Sequence, residues 1–193
     1  MNNIDARLNK IEEIITEKAF LENKGTGNEV GYYIFDYSPK DEVFVRNHIR
    51  FLTNKFGGSS SGTKIVEFDL FELMIHILEQ EGYLETCFEL EKENGYMDMA
   101  GDVANALGLD STDELNLIVT HILENTPEGC VVFITGVGKC FPIIRSHNIL
   151  NNLHQVLDTV PVVLFFPGQY DGQELQLFGT VKDNNYYRAF KLV

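Results

Sequence analysis

The sequence predicts an α/β protein in three layers, a mainly parallel sheet flanked by helices, with a C-terminal antiparallel hairpin. Three observations carry this. Residues 131–134 and 162–166 are continuous apolar runs, the pattern of strands buried on both faces by helices above and below. Between them an amphipathic stripe of Ile143, Ile144, Leu150, Leu153 and Leu157, with Pro142 at its start, completes a strand–helix–strand unit. Earlier in the chain, two short apolar strands each run into a helix-start signal, which repeats the alternation expected of a parallel sheet.

The elements follow in order. Residues 3–22 carry Ile4, Leu8, Ile11 and Ile15 at three- and four-residue steps, an amphipathic helix that covers a core or forms a dimer seam. Gly25-Thr26-Gly27 breaks it, so the N-terminal helical segment is residues 1–24. Residues 31–35 read as the first strand. Ser38-Pro39 with Asp41 is a cap, a first-turn proline and a capping-box acid, opening a helix over 39–56. A Gly/Ser loop at 57–62 leads to a second strand at 64–68. Asp69 with Glu72 then caps a helix over 70–80. Residues 82–126 read as several helices, with Ser111 and Glu114 marking one start and Gly101 and Gly108 near breaks. Residues 175–181 and 186–193 predict the closing hairpin across Lys182-Asp183-Asn184-Asn185. With no repeat and 193 residues, residues 1–193 predict a single domain, with an acidic helical region at 70–128 inside it.

Charge divides the chain unevenly. The formal net charge is −14, yet sixteen of the 29 acidic side chains fall in residues 65–130 against one base, Lys92. That region is either a solvated set of helix faces or a docking surface for a basic partner. It repels a phosphate backbone, so direct nucleic-acid binding is not expected. The segment Tyr186-Tyr187-Arg188-Ala189-Phe190-Lys191 interleaves bases with aromatics only briefly and reads as a half-buried strand. No apolar run reaches the roughly 20 residues of a membrane span, and the N-terminus lacks a secretory pattern. Cys87, Cys130 and Cys140 form no C-x-x-C pair. Cys130 and Cys140 lie at opposite ends of a predicted strand, roughly 15 Å apart, too far for a disulfide. Free thiols fit a reducing cytoplasm.

Candidate chemistry gathers at the carboxyl ends of the strands, where open α/β sheets bind ligands. Asp36, Asp69, the run Thr135-Gly136-Val137-Gly138-Lys139 and the turn Pro167-Gly168-Gln169-Tyr170-Asp171 share that edge. Backbone N–H groups around Gly136 and Gly138, with Lys139, could cradle a phosphate. A P-loop would need a glycine where Phe133 stands and Ser or Thr where Cys140 stands, so the usual Mg²⁺ hydroxyl is missing. Turn and capping preferences account for the same residues without a ligand. Arg145-Ser146-His147-Asn148 is a polar cluster at a helix start, suited to a partner. Its Ser and His are adjacent and point apart, so it is no triad. His48, His76, His121, His147 and His154 show no H-x-x-x-H spacing, so no zinc site is expected. Neither a cofactor nor a catalytic residue is assigned.

Several stretches together resemble one family. They are Ile34-Phe35-Asp36-Tyr37 with Pro39, Gly136-Val137-Gly138-Lys139, the run from Arg145-Ser146-His147-Asn148 to Leu153, Phe165-Phe166-Pro167-Gly168-Gln169-Tyr170-Asp171-Gly172, and Lys182-Asp183-Asn184-Asn185-Tyr186-Tyr187-Arg188-Ala189-Phe190. The chain resembles the B components of BREX, the bacterial phage-exclusion systems, nearly end to end and most specifically in its C-terminal third. The resemblance implies a small accessory protein working beside a DNA methyltransferase, a large ATPase and an alkaline-phosphatase-superfamily protein of the PglZ type. It carries no catalytic residue with it. It implies assembly rather than reaction, with the PglZ-type protein as the preferred partner and a homodimer through the N-terminal helix as a further expectation. The alternative is a nucleotide- or phosphate-binding protein or hydrolase using Asp36, Asp69 and Lys139. The strand–helix order also resembles a degenerate P-loop-type fold, an analogy of fold alone.

Overall fold

Apolar runs that are buried on both faces need two helical layers, and the chain supplies them around a parallel sheet. The structure, a computed structural model, describes residues 3–22, 31–58, 62–111, 115–183 and 188–193. Strands β1 (Tyr32–Tyr37), β2 (Lys64–Asp69), β3 (Cys130–Thr135), β4 (Val162–Tyr170) and β7 (Phe190–Lys191) lie in the order β2-β3-β4-β1-β7, each pair parallel. Short strands β5 (Leu175–Leu177) and β6 (Val181–Asp183) extend antiparallel from the far end of β4.

Side chains alternate across the sheet with period two. Phe35, Val131, Phe133, Val163 and Phe165 face one layer. That layer holds α1 (Asn3–Ile15), α2 (Lys18–Leu21) and α3 (Glu42–Phe56), with Ile4, Leu8, Ile11 and Ile15 buried in it. Tyr32, Ile34, Val132, Ile134, Val162 and Leu164 face the other layer. There sit α4 (Leu70–Gln80), α5 (Leu84–Asn94), α6 (Tyr96–Ala106), α7 (Leu117–Glu124), α8 (Val137–Cys140) and α9 (Ser146–Val156). The N-terminal stripe is therefore occupied by the chain's own core. No helix among the described residues is long and apolar enough to cross a membrane. All three cysteines are free and buried.

Several boundaries differ from the sequence expectation. The helix expected over 3–22 is two helices, broken at Thr16, whose hydroxyl donates back to the Glu12 and Glu13 carbonyls. Ser38 makes no side-chain cap; Pro39–Asp41 is a 3₁₀ turn and α3 begins at Glu42. Asp69 does cap α4, accepting from the N–H groups of Phe71 and Glu72. Gly101 lies inside α6, whereas Gly95 (φ +84°) and Gly108 (φ +63°) interrupt the helices. Asn116 caps α7 by accepting from the Val119 N–H. The helix expected from Pro142 begins at Ser146, because α8 takes the chain directly after β3 and Arg145 is still extended. Ile144 is nonetheless buried in the same core, which made the stripe look continuous.

The closing hairpin is the clearest correction. The turn expected at 167–171 is strand as far as Tyr170: β4 continues through Pro167 and Gly168 and pairs with β5. A Cβ on Gly168 would run into the Gln176 carbonyl, so only glycine allows that approach. The antiparallel turn is then β5–β6, and the tail leaves it to pair parallel to β1 as β7. The breaker Gly25-Thr26-Gly27, the loop serines 59–61, Glu114 and the positions 184–187 lie outside the described residues.

Candidate functional site

The parallel register brings the strand ends to one edge: Asp36 lies beside Phe166, Tyr37 beside Pro167, and Asp69 beside Thr135. A groove runs along it. One part, of about 200 Å³, is walled by Tyr37, Pro39, Gly138, Lys139, Pro167 and Phe178. The adjoining part, of about 340 Å³, adds Arg7, Asp36 and Gln169 and shares Tyr37, Pro39 and Phe178. The carboxyl ends of β1 and β4 and the turn after β3 thus border an open space.

Its charged groups are turned toward one another. The Lys139 ammonium sits 2.5 Å from Asp69 and 3.6 Å from Glu72, with the Phe71 ring 5.5 Å away. Asp69 is already occupied as the α4 cap. Gly136 has φ +76°, and a Cβ there would meet the Asp69 carboxylate; glycine is required on both counts. The Gly136 turn leads into α8, a helix of four residues, too short to present an anion with a helix N-terminus. Cys140, where a P-loop would carry its hydroxyl, is buried, and its Sγ lies 3.4 Å from the carbonyls of Gly136 and Val137. Burial pushes its thiol up to about 12.

Asp36 is a separate clamp in the second part of the groove. Only 7% exposed, it accepts from Arg7 at 2.8 Å, Lys191 at 3.0 Å and the Tyr170 N–H at 3.1 Å. It therefore ties α1, β7 and β4 to β1. Arg7 also stacks 4.7 Å over the Phe35 ring. Three neighbours were not singled out in the sequence. The Tyr37 hydroxyl donates to Glu42 at 2.6 Å, and Arg46 reaches Glu42 at 3.2 Å. Glu67 accepts from the Thr135 hydroxyl at 2.9 Å; burial, more than the nearby Asp69, raises its carboxyl. Glu42 and Arg46 stand at an i, i+4 spacing that the sequence does display, whereas Glu67 meets Thr135 only through the pairing of β2 with β3.

Phe178 also escaped notice. It is the only non-glycine with positive φ among the described residues (φ +55°). It sits with Gly179 (φ +72°) in the β5–β6 turn, where an aromatic costs roughly 1 kcal/mol against glycine or asparagine. Its ring packs on Gly138, where an added Cβ would lie 2.9 Å away.

The remaining predicted residues do not join the groove lining. Asp171 makes a turn, accepting from the Gln173 and Glu174 N–H groups at 2.8 Å each, and these bonds hold its carboxyl below the usual range. Arg145 lines a different, small cavity of about 20 Å³ with Phe141 and Leu177. Asn148 donates to Asp110 at 3.4 Å, and Asn152 to the Ser111 carbonyl at 3.0 Å, so α9 meets the middle of the acidic region. His147 lies within that same first turn. Among the described residues no three His, Cys, Asp or Glu side chains gather as a metal site.

A family model described as BREX protein BrxB matches residues 66–192. A BREX protein BrxB of Bacillus cereus (strain H3081.97) is 50% identical over 193 residues, covering 100% of this chain and 99% of the relative. The chain belongs to the BrxB family. A BrxB of Escherichia coli O9:H4 (strain HS) is 30% identical over 190 residues, 98% of this chain and 92% of the relative. The match to these BrxB proteins spans the groove and both helical layers alike. No solved structure matches the chain.

Proposed function

We propose that the chain is a non-enzymatic assembly protein of a bacterial BREX anti-phage system, acting in the cytoplasm and bridging other BREX proteins. The PglZ-type alkaline-phosphatase-superfamily component is the preferred partner. The observation that carries the reading is the internal neutralisation of the groove. Asp36 is held by Arg7 and Lys191, Asp69 by Lys139, and Glu42 by Arg46. A phosphate entering there would have to break ion pairs already satisfied, including one that clamps the sheet. Bridging needs two surfaces, and exposed aromatics stand on opposite layers: Phe44 and Phe51 on α3, Phe88 on α5. Residues 1–193 act in this reading as one domain of degenerate P-loop-type descent, with the groove an inherited crevice.

Co-purification of the tagged chain with each BREX component tests the proposal. Retention of at least one partner is expected, and release of all of them in mild salt would overturn it. The second reading, a nucleotide- or phosphate-binding protein or hydrolase, rests on the groove's volume and on Lys139. Calorimetry with ATP, GTP and Mg²⁺ separates the two. Binding heat abolished by Lys139→Ala would favour the second; no heat ends it. A homodimer through α1 has less to draw on, since that helix has its apolar stripe buried internally.

A further inference from the structure

Helix α5 is poorly paid for by its own packing. Of its eleven residues only Cys87 is buried, with Leu84 and Leu90 partly so. Its outward positions Glu85, Phe88, Glu89 and Lys92 recur at three- and four-residue steps, all exposed, and so share one face. Phe88 is 46% exposed within that stripe. Tyr83, just before the helix, is 44% exposed, and Tyr96 and Met97, opening the adjoining α6, are 43% and 70%. Single exposed apolar residues are ordinary; four large ones within residues 83–97 are the kind of surface that a partner covers.

We propose that this α5–α6 face docks a basic amphipathic helix of a partner protein, an inference that rests on the bridging reading. Charge selects the occupant. Around the apolar groups stand Glu85, Glu89, Glu91, Glu93 and Asp98, against Lys92. An acidic peptide, a nucleic-acid backbone or an anionic membrane is repelled; a helix with Leu or Phe anchors rimmed by Lys and Arg is attracted. A helix fits better than a strand because the surface is itself helical, and no sheet edge is offered here to pair with. The anchors give the affinity and the acids the on-rate and the choice of partner.

The test uses the full chain and two probes, an amphipathic Leu/Lys peptide of about 18 residues, long enough for a five-turn helix, and its Leu/Glu counterpart. Binding of the Lys peptide alone is expected. Phe88→Ala with Met97→Ala, which keeps every charge, should weaken it about tenfold or more with unchanged circular dichroism; Glu85→Lys with Glu89→Lys should shift preference to the Glu peptide. Undiminished binding by the Phe88→Ala, Met97→Ala variant, or equal binding of both peptides, would overturn the proposal. Co-purification then separates it from the reading beneath. If the wild type retains BREX partners and the Phe88→Ala, Met97→Ala variant retains every one of them, this face is not the dock and bridging stands. If the wild type retains none, bridging itself fails. Self-association of the wild type that this variant abolishes would make a second copy the occupant and overturn the assignment to a partner.

Discussion

At the scale of single residues, the groups that look chemical are holding the fold. Removing the Asp36 carboxylate leaves Arg7, Lys191 and the Tyr170 N–H without their common acceptor. Because both cations keep some access to water, Asp36→Ala should cost about 2 kcal/mol, less than a fully buried pair; urea unfolding measures it. Gly136→Ala forces a Cβ into the left-handed region and onto Asp69, and should cost at least about 1 kcal/mol in the same assay. Glu67 gives a pH signature. Its carboxyl is raised above the ordinary 4.5, so the folded state resists ionising it. The penalty is absent below that ordinary value and grows as pH rises through the folded one. Glu67→Gln keeps an acceptor for Thr135, so it should be more stable than wild type near neutral pH, with the advantage vanishing below about pH 4. Cys140, with its thiol at about 12 and buried, should resist alkylation at pH 8 until the chain is unfolded.

At the scale of elements, the N-terminal helix shows how a stripe acquires meaning. Ile4, Leu8, Ile11 and Ile15 are all under 5% exposed and pack with α3 and the sheet. Ile11→Ala should therefore cost about 2–5 kcal/mol. Deleting residues 1–20 should yield aggregating protein rather than a well-folded monomer, because it uncovers Phe35, Phe165 and the α3 core face; light scattering and sedimentation distinguish the outcomes. β4 teaches the converse. Pro167 and Gly168 read as a turn by composition, yet β4 passes through them into its antiparallel partner. Proline is tolerated where the strand leaves the parallel ladder, and glycine where β5 comes close.

At the scale of the whole molecule, aromatic patches stand on opposite layers in different electrostatic surroundings. Phe44 and Phe51 stand seven residues apart on one face of α3, with the Lys55 ammonium 5.6 Å from the Phe51 ring; Phe88 stands among glutamates on α5. If these are two docks of a bridge, Phe44→Ala with Phe51→Ala should leave thermal stability nearly unchanged, as exposed substitutions do. It should release a BREX partner other than the one held at α5. Quantitative co-purification of the two double variants side by side checks this, and loss of one common partner from both would argue for a single extended interface.

The alternation of apolar runs with capped helices determined the parallel sheet and its two covering layers, because burial on both faces writes itself into local composition. That Asp36, Asp69 and Gly136 stand at the carboxyl ends of strands was equally legible, since strand ends and turns have their own residue types. What the sequence could not hold was which charge answers which. The Arg7–Asp36–Lys191 clamp joins residues at opposite ends of the chain, and the Lys139–Asp69 pair spans two strand ends. Such pairings depend on long-range register and strand order, which leave no periodic trace. Only the tertiary structure decided that the cations of this edge are already taken, that the tail runs parallel to β1, and that Phe88 of α5 faces outward.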